Sequence, residues 1–108
     1  MKLIYAIVNN EDSHNVSIAL TKAGYFATKL SSSGGFLKAG NNTFLICSED
    51  SQVGDIIEII KSCSSQRSQF IPAINTEVAG QVGGSFPIEV TVGGATIFVT
   101  DIERFEKV

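Results

Sequence analysis

Gly34-Gly35 is followed directly by Phe36-Leu37, with Asn41 and Thr43 a few residues further on. Paired glycines can turn successive backbone N–H groups toward one point, because glycine accepts unusual φ angles and close approach. Such groups suit phosphate or carbonyl oxygens. The ring of Phe36 offers a flat face on which a base can stack. The amide of Asn41 and the hydroxyl of Thr43 carry donors and acceptors for a base edge. Lys29 and Lys38 bring positive charge nearby. Together these residues have the chemistry of a nucleotide pocket. They also suit an ordinary glycine-rich hairpin loop, and taken alone that is the reading they favour.

Other chemistry has less material. His14 is the single histidine, and it sits in a helix start with no evident nucleophile beside it. Cys47 and Cys63 form no CxxC pair and no metal-ligand spacing, so they read as two reduced thiols in or near the core. Glu11, Asp12, Glu49 and Asp50 suit helix N-termini, where negative charge is favoured, rather than a metal. No catalytic residue and no metal or cofactor site is therefore expected, and the chain is read as not an enzyme. Net charge is −3, which argues against a nucleic-acid binder. The N-terminal apolar stretch is short and quickly followed by Asn-Asn-Glu-Asp, unlike a signal peptide. No apolar run is long enough for a bilayer, so a cytoplasmic protein is expected.

The 108 residues suit a single domain, 1–108. Residues 2–8 form a continuous apolar run, as in a central strand buried on both faces. Residues 9–13 are polar and acidic, like a helix start. Val16, Ala19, Leu20 and Ala23 then follow helical spacing, with Gly24 as the terminating residue. Residues 25–31 read as a second strand, with Phe26, Thr28 and Leu30 on one face. The loop 32–41 and a third strand, 42–48, follow. The acidic-turn and helix pattern then returns, with Val53, Ile56, Ile57 and Ile60 echoing the first stripe. Two β-α units in a chain of this length predict an α+β, ferredoxin-like split β-α-β sandwich. Residues 69–74 predict a short strand that Pro72 confines to an edge or an end. Residues 75–85 form a long glycine-rich loop. Gly93-Gly94 predicts a C-terminal β-hairpin over 87–102, pairing Val92 with Ala95, Val90 with Ile97 and Ile88 with Val99.

Several strands carry bulk on both faces: Ile4 beside Leu3 and Tyr5, Phe44 beside Leu45, Phe98 beside Ile97. Two helices cover only one face of a sheet. The second face is thus expected to be covered partly by other copies of the chain.

The stretches MKLIYAIV, ATKLSSSGGFLKAGNNTFLI and PIEVTVGGATIFV resemble the PII-like cyclic-di-AMP receptor family of Gram-positive bacteria, over nearly the whole chain. The resemblance implies ferredoxin-like, PII-like subunits in a homotrimer, without enzymatic activity. It implies a cyclic-di-AMP site in clefts between subunits, with loop rearrangement relaying the signal to an unidentified protein partner. On the matching motif, Thr28 would hydrogen-bond an adenine. Gly35, Phe36 and Leu37 would line the pocket from the loop, and Asn41 would contact the ligand through its amide.

The chain departs from the family pattern at several of these positions. Phe26 stands where the family has an arginine that packs on adenine. It shares a face with Thr28 and can stack, but it cannot supply a charge-assisted hydrogen bond. Gly24 replaces an asparagine, Cys47 a glycine, and Lys107 the penultimate glutamine. The long loop reads VAGQVGGSFP where the family has an M-G-G and Y-P-Y-P pattern. Two readings follow: a receptor for cyclic-di-AMP or a related adenine nucleotide, or a trimeric protein-interaction subunit that has lost nucleotide binding.

Overall fold

The structure, a computed structural model, describes residues 1–31, 40–72 and 87–108. Strand β1 (Lys2–Asn9) leads into helix α1 (Asn10–Lys22); β2 (Ala27–Ser31) and β3 (Asn41–Ser48) follow. A single 3-10 turn, Asp50–Gln52, opens helix α2 (Val53–Ser64). Strands β4 (Arg67–Pro72), β5 (Pro87–Val92) and β6 (Ala95–Asp101) complete the order. The main sheet is antiparallel in the order β2-β3-β1-β6, with β1 and β3 central. That order is the ferredoxin-like β-α-β-β-α-β arrangement, with the β4–β5 ribbon inserted between α2 and the last strand. Mixed α+β architecture is as the sequence implies.

Local chemistry explains the helix ends. The Asn9 side chain accepts a hydrogen bond from the Glu11 N–H at 2.9 Å, an N-cap. At the other end Gly24 adopts φ +87°. There the Tyr25 N–H donates to the Leu20 carbonyl, and the Gly24 N–H to the Thr21 carbonyl. This is a Schellman closure, which needs the left-handed residue that glycine supplies most readily. The 3-10 turn that leads into α2 is closed by a capping box between Glu49 and Gln52, the Glu49 N–H donating to Gln52 Oε1 at 3.1 Å.

The core lies between the helices and one face of the sheet. Ile4, Ala6, Val8, Phe44 and Ile46 point inward from the strands and meet Val16, Leu20, Ile56 and Ile60 from the helices. Among the described residues Phe44 is the largest fully buried side chain, and truncating such a ring costs about 3–5 kcal/mol. The opposite face of β1 is only partly covered: Leu3, Tyr5 and Ile7 keep some exposure. Burial of β1 on both faces is thus not complete within one chain. The helical stripe also differs at its ends. Ala23 is exposed, and the stripe begins instead at the buried Asp12 and Ser13.

The C-terminal hairpin does not form. Strand β5 pairs with β4, from Arg67 opposite Val92 to Pro72 opposite Pro87, whereas β6 pairs with β1. Gly93 and Gly94 do take positive φ, +81° and +85°. Those angles fit a two-residue hairpin, but here they turn the chain from one sheet into the other. Partners distant in sequence decide the matter. The open edge of β1 takes β6 from Lys2 opposite Asp101 to Val8 opposite Ala95. Ile97 is thereby packed against the core, and the Gly94 N–H donates to the Ser64 carbonyl at the end of α2. Pro72 lies within β4, opposite Pro87.

Candidate functional site

A groove of about 800 Å³ opens where the sheet, the end of α2 and the Gly93-Gly94 corner meet. Its polar wall includes Asn9, Asn41, Lys61, Ser64, Gln66 and Thr96, and Ile7 and Ile57 supply apolar surface. Asn9 and Asn41 come together because the start of α1 is tied to β3 and to the residue before it. The Asn10 N–H donates to the Gly40 carbonyl at 2.8 Å. The buried Asn42 amide donates to Asn10 Oδ1 at 2.5 Å and to Ser13 Oγ at 3.0 Å. Asn41 then falls opposite Asn9 in the β1–β3 register. The arrangement presents amides, hydroxyls and one ammonium around an open cleft. That set can hydrogen-bond a base edge and oppose a phosphate charge. Lys61 sits 3.7 Å from Glu58 on the same helix, both largely exposed, so its ammonium is only loosely engaged.

Of the residues singled out from sequence, Asn41 lines this groove. Thr28 is exposed on β2 and lies opposite Leu45, on the same sheet face as Asn41. Leu45 and Asn41 stand four positions apart on β3, about 13 Å at about 3.3 Å per residue. Phe26 precedes β2 and is 94% exposed. One chain therefore does not bring Phe26 and Thr28 into the groove. They belong to the β2 edge of the sheet, and the groove follows the β6 edge. Gly35, Phe36 and Leu37 lie outside the described residues, as does the loop 75–85.

The departures from the family motif are placed as follows. Gly24 is the Schellman residue described above. Cys47 is exposed opposite Leu3, a correction to the expectation of a thiol in or near the core. Cys63 is partly buried, and both thiols are free. Lys107 is exposed in the segment after β6.

The sheet face away from the helices carries a second, apolar depression of about 440 Å³, formed by Tyr5, Ile7, Leu30, Leu45 and Phe98 around Thr43. The Thr43 hydroxyl is buried and finds no hydrogen-bond partner among the described residues. Unsatisfied buried hydroxyls cost about 1–3 kcal/mol.

The sequence reading missed Asn9, Lys61, Ser64 and Gln66, whose side chains carry no motif and meet only through the fold. It also missed the role of Asp12. That carboxylate is 4% exposed and receives both arms of the Arg67 guanidinium, at 2.9 and 3.2 Å. A signal was available: Asp12 stands four residues before Val16, on the apolar stripe of α1, where a charge needs a partner. The hydrogen bond and charge of Asp12 raise the Arg67 pKa above its ordinary value.

Fold and groove together define a ferredoxin-like protein with an open polar cleft at a sheet edge. The family model described as cyclic-di-AMP receptor matches residues 1–108. The chain belongs to that family. It is also similar to a solved structure from Pediococcus pentosaceus ATCC 25745, described as a functionally unknown protein. The two share 38% identity and a TM-score of 0.76, over 99% of this chain and 96% of the other. Among the described residues no helix is long and apolar enough to cross a membrane.

Proposed function

We propose that this chain is a cytoplasmic receptor that binds cyclic-di-AMP, or a closely related adenine nucleotide, without turning it over. The site is completed between subunits of a homotrimer, and loop rearrangement relays occupancy to a protein partner. The observation that carries this reading is the division of the candidate ligand-binding residues between opposite sheet edges. The groove with Asn41 and Lys61 follows β6, whereas Phe26 and Thr28 belong to β2. A head-to-tail ring sets the β2 edge of one copy against the β6 edge of the next, and three such contacts can close. The open apolar face around Tyr5 and Phe98 turns inward in such a ring, and the Thr43 hydroxyl gains neighbours. Phe26 then stacks on a base that the groove of the adjacent copy holds by its edge and phosphate.

Cyclic-di-AMP binding to Asn41→Ala and Lys61→Ala tests the groove. One charge-assisted contact is worth about 1.5–3 kcal/mol, so Lys61→Ala is expected to weaken binding about tenfold or more at low salt. Exposure of Lys61 makes that effect shrink as salt is added. Wild-type affinity in both variants would exclude this groove as the site.

The exposure of Phe26 favours a second reading, a trimeric interaction subunit that no longer binds nucleotide and uses its surface on a protein. Capture of a partner that is indifferent to added nucleotide, from a protein that shows no nucleotide binding, supports that reading.

A further inference from the structure

The β4–β5 ribbon is rooted at one place. Strand β4 begins at Arg67 and β5 ends at Val92, one residue before Gly93. Among the described residues its two strands contact chiefly each other. A two-stranded ribbon is marginal by itself in water, so its placement depends on its root. There the Arg67 guanidinium reaches the start of α1 and both linkers that frame the ribbon. It binds both oxygens of the buried Asp12 at the start of α1, and Nη1 also donates to the Ser65 carbonyl at 3.2 Å. It lies so close to Gly93 that a Cβ there would stand 2.6 Å from Nη1. Glu11 adds a weaker charge contact at 3.8 Å.

The residues on either side of this clasp face the groove. Ser65 and Gln66 lead into β4, Gly93 and Gly94 leave β5, and all four line the cleft. Whatever fills the cleft therefore presses on the two linkers that Arg67 ties together. We infer that Arg67, gripped by Asp12, is a positioning residue that couples occupancy of the groove to the placement of the β4–β5 ribbon. This inference rests on the nucleotide reading of the groove proposed above. A planar fork is suited to the task because it fixes direction as well as distance, which a lysine cannot do.

Hydrogen–deuterium exchange on the full chain, with and without cyclic-di-AMP, tests the coupling. In the wild type, ligand is expected to slow exchange in residues 61–66, at the groove, and in 67–72 and 87–92, in the ribbon. In Arg67→Met the groove should still be protected, with the ribbon no longer responding. Without ligand, ribbon exchange in that variant should rise about tenfold, as loss of a charge-assisted contact implies, with β1 and β3 unchanged. Arg67→Lys keeps a single charge contact and guards against misfolding of the first variant. It should lose most of the ribbon response while retaining the wild-type fold. Ribbon protection that persists in both variants overturns the coupling. Groove protection without ribbon protection in the wild type overturns the coupling alone. Absence of groove protection in the wild type overturns the nucleotide reading and the coupling with it.

Discussion

Phe98 on β6 lies directly opposite Tyr5 on β1, and both line the depression on the sheet face that the helices leave open. Phe98 is 54% exposed in the single chain. An aromatic pair in that position adds little to the fold of one subunit and much to an interface. Phe98→Glu is therefore expected to leave the subunit folded and to convert the proposed trimer into monomers, read by light scattering on a sizing column. A variant that assembles as well as the wild type contradicts the assignment of this face to subunit contact.

Glycines 24 and 93 offer a matched comparison. Both hold positive φ, +87° and +81°. A Cβ at Gly24 meets nothing within 4 Å, whereas at Gly93 it meets Arg67 Nη1 at 2.6 Å, the Ser65 carbonyl at 2.9 Å and Asp12 Oδ2 at 3.1 Å. Gly24→Ala should cost about 1–2 kcal/mol, the strain of a left-handed alanine. Gly93→Ala should cost more, because it pays that strain and displaces the guanidinium too. Denaturant titration at one protein concentration measures both. Equal losses would mean that Arg67 yields freely and the clasp is loose.

The acid limb of stability contains a contribution from Asp101. Its carboxyl is held below the ordinary range, first by the hydrogen bond from Lys2 and then by that residue's charge. A lowered folded-state pKa contributes stability that is complete above the unfolded value, about 3.9. It is lost as pH falls through the lower folded value. Asp101→Asn should be less stable than the wild type at neutral pH, with the difference vanishing as the pH drops below the carboxylate range. The pair is exposed, so the difference is small and shrinks in salt. A difference that grows toward acid contradicts the assignment.

Much of the fold was legible because hydrophobic patterning is a local signal. The positions of β1 and β3 follow from their apolar runs, and Gly24 marked the end of α1. Both strands are apolar on both faces, however, so which face of β1 the helices bury was not legible. The pairing of β5 and β6 was not legible. Gly93-Gly94 specifies backbone angles, and these are shared by a hairpin and by a corner between sheets. What separates the two is the vacant edge of β1 and the end of α2, which are remote in sequence. The site divides in the same way. Asn41 carries family meaning in its own motif, whereas Lys61, Ser64 and Gln66 acquire theirs only from the fold. Asp12 lay between these cases. Its place on an apolar stripe announced a partner, but nothing local named Arg67.

The most direct test of the receptor reading is calorimetric titration of the purified protein with cyclic-di-AMP, with ATP and cyclic-di-GMP as comparisons. The expected result is saturable binding of cyclic-di-AMP near one ligand per subunit, tighter than either comparison nucleotide. No detectable heat, confirmed by an absence of binding in equilibrium dialysis, would contradict it and leave the protein-interaction reading in its place.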